Sequence, residues 1–136
     1  MERLFVDTSA WFAHVNRSDP DHASVRDVLR RFEGRLVTTN FVFDEIVTLI
    51  AARSGHAPAA TVGRLLLDGK VADLVRVTAA DEREAWTLFV DRPDKSYSYT
   101  DCTSFTVMRR LGVHRAATLD EDFAREGFDT VPANVK

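Results

Sequence analysis

Three acidic residues in this chain of 136 residues stand where their carboxylates could share one site. Asp7 directly follows residues 4–6, an apolar run short enough to be a buried strand. Asp120 follows a second predicted strand over residues 115–119, and Asp101 lies in the first turn of a predicted helix over residues 100–111. Ligands of open α/β sheets bind at the carboxyl ends of the strands. We therefore expect these acids to meet at one edge of a sheet.

The position of Asp101 on its helix gives a second reason to expect a bound cation. Residues spaced by i, i+4 and i+7 share a helix face, so Asp101 lies on one stripe with Phe105 and Met108. That stripe should face the core, where burial of an unpaired charge costs several kcal/mol. Few basic residues stand on predicted buried faces to neutralise it. A cation is the favoured partner.

The predicted helix over residues 40–53 supplies another acid, either Asp44 or Glu45. Asn40 is its predicted cap, and apolar residues cover most of its circumference. A mostly apolar helix is a buried one, so both acids should lie close to the core. The residues alone leave open which of the two reaches the site, and Asp122 is a similar rival or auxiliary of Asp120.

Several carboxylates at one edge repel one another unless a divalent cation neutralises them. An all-oxygen set suits Mg²⁺ or Mn²⁺, whereas zinc prefers nitrogen and sulfur. The four histidines are scattered and Cys102 is the single cysteine, which does not make a zinc pattern. Such a site commonly serves phosphoryl chemistry with a metal-activated water. Ser9, Ser104 and Cys102 have no histidine partner at a recognisable spacing, so we expect no protein nucleophile.

Strand-like and helix-like segments alternate along the chain, which predicts a parallel sheet with helices on both faces. The remaining strands are predicted at residues 36–39, 74–77 and 130–131. No Gly-rich turn follows the first strand, which excludes a P-loop or dinucleotide site. The length predicts one domain over residues 1–136.

The composition is that of an ordinary globular protein, with a hydrophobic fraction of 45% and a net charge of -3. This net charge neither indicates nor excludes nucleic-acid binding. No stretch approaches the ~18 consecutive apolar residues of a membrane helix, and the start of the chain lacks a signal-peptide pattern. We expect a cytoplasmic protein with no membrane association.

Four stretches resemble, in order, the motifs of PIN domains, especially those of VapC-type toxin ribonucleases. They are Leu4-Phe-Val-Asp7-Thr-Ser9-Ala-Trp11, Thr38-Thr-Asn-Phe-Val-Phe-Asp-Glu45-Ile-Val-Thr-Leu-Ile, Ser98-Tyr-Thr-Asp101-Cys-Thr-Ser-Phe and Ala117-Thr-Leu-Asp120-Glu-Asp-Phe123. The similarity spans nearly the whole chain. The acid of the family's second motif aligns with Glu45 and not with Asp44. The fourth motif is the least regular one in the family.

The resemblance implies a three-layer α/β fold with a parallel sheet in the order 3-2-1-4-5, flanked by helices. It implies Mg²⁺- or Mn²⁺-dependent RNA cleavage, with Asp7, Glu45, Asp101 and Asp120 as the catalytic and metal-binding set and Ser9 as a supporting hydroxyl. It further implies a cognate antitoxin protein that blocks the site, and a homodimer.

The polar loop before Asp101 is a candidate RNA-binding mouth. It mixes two cations, Arg92 and Lys95, with two tyrosines, Tyr97 and Tyr99. Tyrosines stack on unpaired bases and cations hold phosphates, although a solvated loop has the same composition.

A second hypothesis is a non-catalytic PIN-like module that binds RNA or a protein. The presence of all four acids argues against it. A phosphate-accepting receiver domain has a similar topology, but it would need paired acids after the first strand and a lysine near Asp120, where the sequence has none.

Overall fold

A five-stranded parallel sheet forms the centre of the computed structural model, which describes residues 1–133. Its strands lie in the order β3-β2-β1-β4-β5, as predicted. They are β1 (Arg3–Val6), β2 (Arg35–Thr39), β3 (Asp73–Val75), β4 (Arg115–Ala117) and β5 (Asp129–Val131). The last three residues of the predicted domain lie outside the described part of the chain.

Helices connect and flank these strands, which gives the three-layer α/β architecture. Within residues 1–133 they are α1 (Thr8–Val15), α2 (His22–Arg31), α3 (Asn40–Ser54), α4 (His56–Leu67), α5 (Ala79–Asp91), α6 (Tyr99–Leu111) and α7 (Asp122–Arg125). Helix α1 packs against α2 and α3, α3 against α4, and α5 against α6. Parallel strands need such crossovers, because a tight turn cannot join them.

The sheet register brings the carboxyl ends of β1, β2 and β4 side by side. Phe5 pairs with Val37 of β2, and Val6 pairs with Ala117 of β4. The backbone N–H of Asp7 donates to the carbonyl of Ala117 at 3.0 Å, so the chain leaves β1 at the same level as it leaves β4. The residues that follow these strands therefore share one edge.

The core lies around β1 and α6. All three apolar residues of β1 are fully buried, which is the burial of a central parallel strand. In α6, every residue from 101 to 108 is buried, including Asp101, Phe105 and Met108, as the predicted stripe required. Gly112 ends this helix with a positive φ of 68°, the left-handed conformation that favours glycine.

Two predictions about α3 are wrong. Thr39, and not Asn40, caps this helix, because its side chain accepts a hydrogen bond from the N–H of Val42 while the Asn40 side chain accepts one from Val77. The helix is also less buried than its composition predicted. Phe43 is only partly buried and Asp44 is exposed. Apolar composition therefore overstated the burial of its outer face.

The predicted strands over residues 74–77 and 115–119 end earlier than predicted, at Val75 and Ala117. Asp120 accordingly follows its strand at a distance of three residues rather than directly. Within residues 1–133, no helix is both long enough and apolar enough to cross a membrane.

Candidate active site

Asp7 is the acid at the centre of the shared sheet edge. It is buried and follows β1 directly. Its Oδ2 accepts hydrogen bonds from the hydroxyls of Ser9, at 3.0 Å, and Thr118, at 3.1 Å. Ser9 Oγ in turn accepts the N–H of Leu119 at 2.9 Å, and Thr118 Oγ1 accepts the N–H of Asp120 at 3.0 Å. Two hydroxyls thus fix one oxygen of Asp7 and join it to the chain after β4.

Glu45 approaches the same edge from α3, the helix that follows the neighbouring strand β2. It is half-buried, and its Oε1 accepts a hydrogen bond from the Thr8 hydroxyl. The adjacent Asp44 is exposed. Of the two acids on α3 that the sequence left as alternatives, Glu45 lies toward the sheet edge and Asp44 lies toward solvent.

Asp101 is held at the start of α6 by a capping box. The hydroxyl of Ser98 accepts the N–H of Asp101 at 3.0 Å, and Asp101 Oδ2 accepts the N–H of Ser98 at 3.1 Å. Such reciprocal bonds satisfy two backbone donors that a helix start leaves without partners. Because its Oδ2 is used for the cap, the carboxylate has a fixed direction.

Asp120 lies just before α7, and Asp122 is the first residue of that helix. Oδ1 of Asp120 accepts the N–H of Asp122 at 3.0 Å, which orients the first carboxylate. Oδ1 of Asp122 pairs with the Arg125 guanidinium at 2.7 Å, which neutralises part of the second. Both acids are near the site, but Arg125 competes with a metal ion for Asp122. Asp120 is therefore the better candidate ligand.

These acids line one open cavity of about 420 Å³ at the sheet edge. Its lining residues are Asp7, Thr8, Ser9, Glu45, Leu49, Ser96, Ser98, Asp101, Asp120 and Asp122. Carboxylate oxygens of Asp101, Asp120 and Asp122 lie within 4.8 Å of one another. The structure therefore brings together all four acids of the predicted set, together with Ser9.

The electrostatics of the cavity are those of crowded, buried carboxylates. Burial raises the pKa of Asp7 to about 6, although hydrogen bonds from Ser9 and Thr118 oppose the rise. Burial, together with the charges of Asp7 and Asp120, raises the pKa of Asp101 to about 7. Burial also raises the pKa of Asp120, and the Asp122 charge adds to the rise. Without a cation, the folded protein resists ionisation of these groups.

The donor set fits a hard divalent cation. Apart from Leu49, every side chain that lines the cavity offers oxygen, and Mg²⁺ and Mn²⁺ favour carboxylate oxygen. A divalent charge would favour the ionised form of the three acids whose pKa values burial and neighbouring charges raise. The acids of the predicted set that line the cavity and could hold it are Asp7, Glu45, Asp101 and Asp120.

The predicted RNA-binding loop is mostly a structural element. Tyr97 is only 5% exposed, its ring packs edge-on against Phe105, and its hydroxyl donates to Glu126 at 3.1 Å. The expectation that Tyr97 stacks on bases is therefore wrong. Arg92 donates to the same Glu126 carboxylate at 3.0 Å, so it serves first as a structural ion pair.

The other two residues of that loop, Tyr99 and Lys95, differ in how far their side chains are engaged by contacts within the fold. The Tyr99 hydroxyl donates to the carbonyl of Glu82 at 3.0 Å and its ring lies 6.1 Å from that of Phe41, so it too is engaged within the fold. Lys95 is exposed, with Asp94 at 3.5 Å as its ionic neighbour. The side chain of Lys95 is 36% exposed and that of Arg92 40%, but Lys95 is the cation whose ionic neighbour is itself exposed, so it is the more available to a phosphate.

Sequence reasoning missed three residues that organise this region. Thr8 and Thr118 orient site carboxylates through hydroxyl bonds, and their only sequence signal is a small hydroxyl residue beside a candidate acid. Glu126 is the third. Burial opposes its ionisation, but hydrogen bonds from Arg109, Arg92 and Tyr97 hold the pKa of Glu126 below its usual value.

Comparisons with known proteins show which family and which proteins this chain is similar to. The model of the family described as PIN domain matches residues 4–128. The 23S rRNA-specific endonuclease VapC20 of Mycobacterium tuberculosis is 36% identical over 125 residues, covering 92% of this chain and 95% of that protein. Ribonuclease VapC26 of the same species is 27% identical over 117 residues, covering 86% of each chain.

Solved structures give the same result for the fold. The crystal structure of Mycobacterium tuberculosis VapC20, described as a sarcin-ricin-loop-cleaving toxin, superposes with a TM-score of 0.87 at 35% identity, covering 92% of this chain and 95% of that one. The DNA-bound VapBC2 of Rickettsia felis gives a TM-score of 0.72 at 10% identity, covering 94% and 96%, and supports the fold alone. Because the family model matches most of the chain, and the sheet topology and the acids at the sheet edge accord with it, this chain belongs to the PIN domain family.

Proposed function

We propose that this chain is a divalent-metal-dependent endoribonuclease and the toxin of a toxin–antitoxin pair. The observation that carries the proposal is the cavity in which Asp7, Glu45, Asp101 and Asp120 meet at the carboxyl edge of a PIN sheet. The names of the relatives at 36% and 27% identity support ribonuclease activity. A PIN-like module that only binds RNA or protein would not need four converging carboxylates.

Asp7, Glu45, Asp101 and Asp120 would hold Mg²⁺ or Mn²⁺. When bound, such an ion supplies a Lewis acid that favours deprotonation of water and stabilises the leaving oxygen of the phosphodiester. The chain itself supplies the arrangement. Ser9 and Thr118 fix the direction of Asp7, and the Ser98 cap fixes that of Asp101. A carboxylate of the set orients the attacking water or takes its proton.

The environment of the candidate nucleophiles supports water as the attacking group. Cys102 is fully buried, and burial raises the pKa of its thiol to about 11, so it is a poor nucleophile at neutral pH. Ser104 is also fully buried. The Ser9 hydroxyl donates to Asp7 and accepts from Leu119, which commits it to positioning.

Ribosomal RNA is the substrate we propose to test first. VapC20 is named as a 23S rRNA-specific endonuclease, and its match covers nearly the whole of both chains. Lys95 is exposed and directly precedes Ser96, which lines the cavity, so it offers one contact for an RNA phosphate. This substrate would place the activity in the cytoplasm.

We propose a cognate antitoxin as protein partner, because relatives of this fold are described as VapBC pairs. A second cavity of about 380 Å³ offers a mainly apolar docking groove for it. It lies between α1, α3 and α4, and its lining includes Phe12, Val15, Ile50, Pro58 and Val62. Copurification of the chain with a co-expressed antitoxin, and its loss in Val15→Asp, tests this part, because Val15 lines the groove and is 38% exposed.

We also propose a homodimer, and the exposed face of α5 supports it. Trp86 is 58% exposed and stacks on Phe89 with ring centroids 5.8 Å apart, beside the exposed Val90. Large apolar groups grouped on a surface mark interaction sites. Sedimentation of the wild type and of Trp86→Ser should give a dimer and a monomer respectively. A wild-type monomer would contradict this part.

The function is tested by expressing the chain without an antitoxin in a bacterium. We expect growth arrest, together with a discrete new 5′ end in 23S rRNA mapped by primer extension. Asp101→Asn should give neither, while Asp44→Asn, a matched change at an exposed acid, should give both. Growth arrest that persists in Asp101→Asn would contradict a nuclease mechanism.

A further inference from the structure

We propose that Thr8 is a positioning residue that holds Glu45 in the metal site. This inference rests on the proposed function. Thr8 is the first residue of α1, directly after Asp7, and it is buried. Its Oγ1 donates a hydrogen bond to Oε1 of Glu45, which lies 37 residues later on α3. The hydroxyl therefore joins the helix after β1 to the helix after β2.

Glu45 needs such a donor because the site repels it. The Glu45 charge adds to the rise in the Asp7 pKa, so the two carboxylates lie within electrostatic reach of each other. Glu45 is only half-buried, and the adjacent Asp44 on α3 is exposed. A glutamate has several rotamers that would carry its charge out to water. The Thr8 hydroxyl offsets this tendency before any cation binds.

The direction of the Thr8 hydroxyl distinguishes positioning from helix capping. The start of α1 has no side-chain cap, so several backbone donors there receive no bond from a side chain. Thr8 nevertheless donates across to α3 and uses only one of the two Glu45 oxygens. Loss of this hydroxyl should leave the packing of α1 intact and release Glu45. The expected defect is in metal binding, with little change in the fold.

The test is a calorimetric Mn²⁺ titration of the whole chain in the absence of RNA. Thr8→Val keeps the branched shape and removes the hydroxyl, and it should bind Mn²⁺ roughly 10- to 100-fold more weakly, the usual effect of losing a ligand-orienting partner. Thr8→Ser keeps the hydroxyl and should bind like the wild type. Thr87→Val is the control, because Thr87 is exposed on α5 and bonds only within its own helix.

A double variant identifies the route of the effect. If Thr8 acts through Glu45, then Thr8→Val should add almost nothing to the loss already caused by Glu45→Ala, which removes the acceptor of the Thr8 hydroxyl. Wild-type Mn²⁺ affinity in Thr8→Val, or an equal loss in both backgrounds, would overturn the proposal. Thr8→Ala repeats the comparison with less bulk, and only variants with a wild-type melting temperature are scored.

This titration separates the inference from the proposed function. A wild type that cleaves no RNA but shows the Thr8 effect on Mn²⁺ would refute the nuclease and retain the positioning role. A wild type that cleaves RNA, combined with unchanged Mn²⁺ affinity in Thr8→Val, would do the reverse.

Discussion

Thr118 donates a hydrogen bond from Oγ1 to Oδ2 of Asp7 across 3.1 Å, although 111 residues separate the two in the chain. The same hydroxyl oxygen accepts the backbone N–H of Asp120 at 3.0 Å. One buried side chain thus couples the orientation of the first acid to the backbone position of the last.

Thr118→Val should weaken both halves of this link. We expect Mn²⁺ affinity to fall about tenfold, because an orienting partner of a ligand is lost. We expect the free energy of unfolding to fall by about 1–3 kcal/mol, because buried polar groups lose their partner. Calorimetry and denaturant titration measure the two effects. Thr118→Ser keeps the hydroxyl and should restore both; a serine variant as impaired as the valine one would contradict the account.

Removal of one site charge should reduce metal affinity and leave the fold intact. Asp101→Asn keeps the shape of the side chain and an oxygen for the Ser98 cap, so α6 should still form. We expect a fall in Mn²⁺ affinity of at least tenfold, since a charged ligand is lost and not merely its orienting partner. Asp44→Asn on the exposed face of α3 is the control. Equal affinities in the two variants would exclude the carboxylate cavity as the metal site.

The metal-free protein should lose stability as the pH rises from about 4 to about 7. The pKa of Asp7 is about 6 and that of Asp101 about 7 in the folded chain, both above the ordinary value of 3.8. The folded state therefore binds more protons than the unfolded state in this window, and its free energy of unfolding falls with rising pH. The Asp7 shift alone corresponds to roughly 3 kcal/mol.

Denaturant titrations in EDTA at pH 4.5 and pH 8 measure this slope. Asp7→Asn should reduce it, and saturating Mn²⁺ should restore stability at pH 8, because a ligand that binds only the folded state stabilises it. An Asp7→Asn variant with the same slope as the wild type would show that Asp7 is not held in the crowded arrangement described.

The loop before α6 should contribute one phosphate contact and no base stacking. Lys95→Ala should raise KM for RNA and reduce the dependence of log KM on log salt concentration by about one, as expected for one lost phosphate contact. Tyr97→Leu removes the aromatic ring and should leave KM unchanged, because that ring is buried against Phe105. The measurement is a set of steady-state rates over a series of KCl concentrations. A raised KM in a Tyr97→Leu variant with an unaltered melting temperature would show that Tyr97 stacks on RNA bases.

The sequence predicted the fold well because its strongest signals are local. The run of residues 4–6 into Asp7 identified the central strand, and the stripe of Asp101, Phe105 and Met108 identified the buried face of α6. The strand order was implied by the family resemblance, and the observed sheet confirms it. The strand ends at Val75 and Ala117 were less predictable, because where a strand ends depends on its neighbours.

The hydrogen bonds that orient the site carboxylates could not be predicted from the sequence, for a physical reason. The bonds from Thr8 to Glu45 and from Thr118 to Asp7 join residues 37 and 111 positions apart, and no periodicity encodes them. The prediction of an RNA-binding loop before α6 failed in part for a related reason. Its tyrosine and arginine converge on Glu126, a distant buried carboxylate that satisfies both.

Cleavage of a mixed pool of structured and single-stranded RNA by the purified chain tests the central claim most directly. Wild type and Asp7→Asn are compared in Mg²⁺, in Mn²⁺ and in EDTA. The account predicts that the wild type cleaves RNA with either metal, that EDTA abolishes the cleavage, and that Asp7→Asn is inactive under all three conditions. Cleavage that persists in EDTA, or an Asp7→Asn variant as active as the wild type, would contradict a metal-dependent nuclease built on these carboxylates.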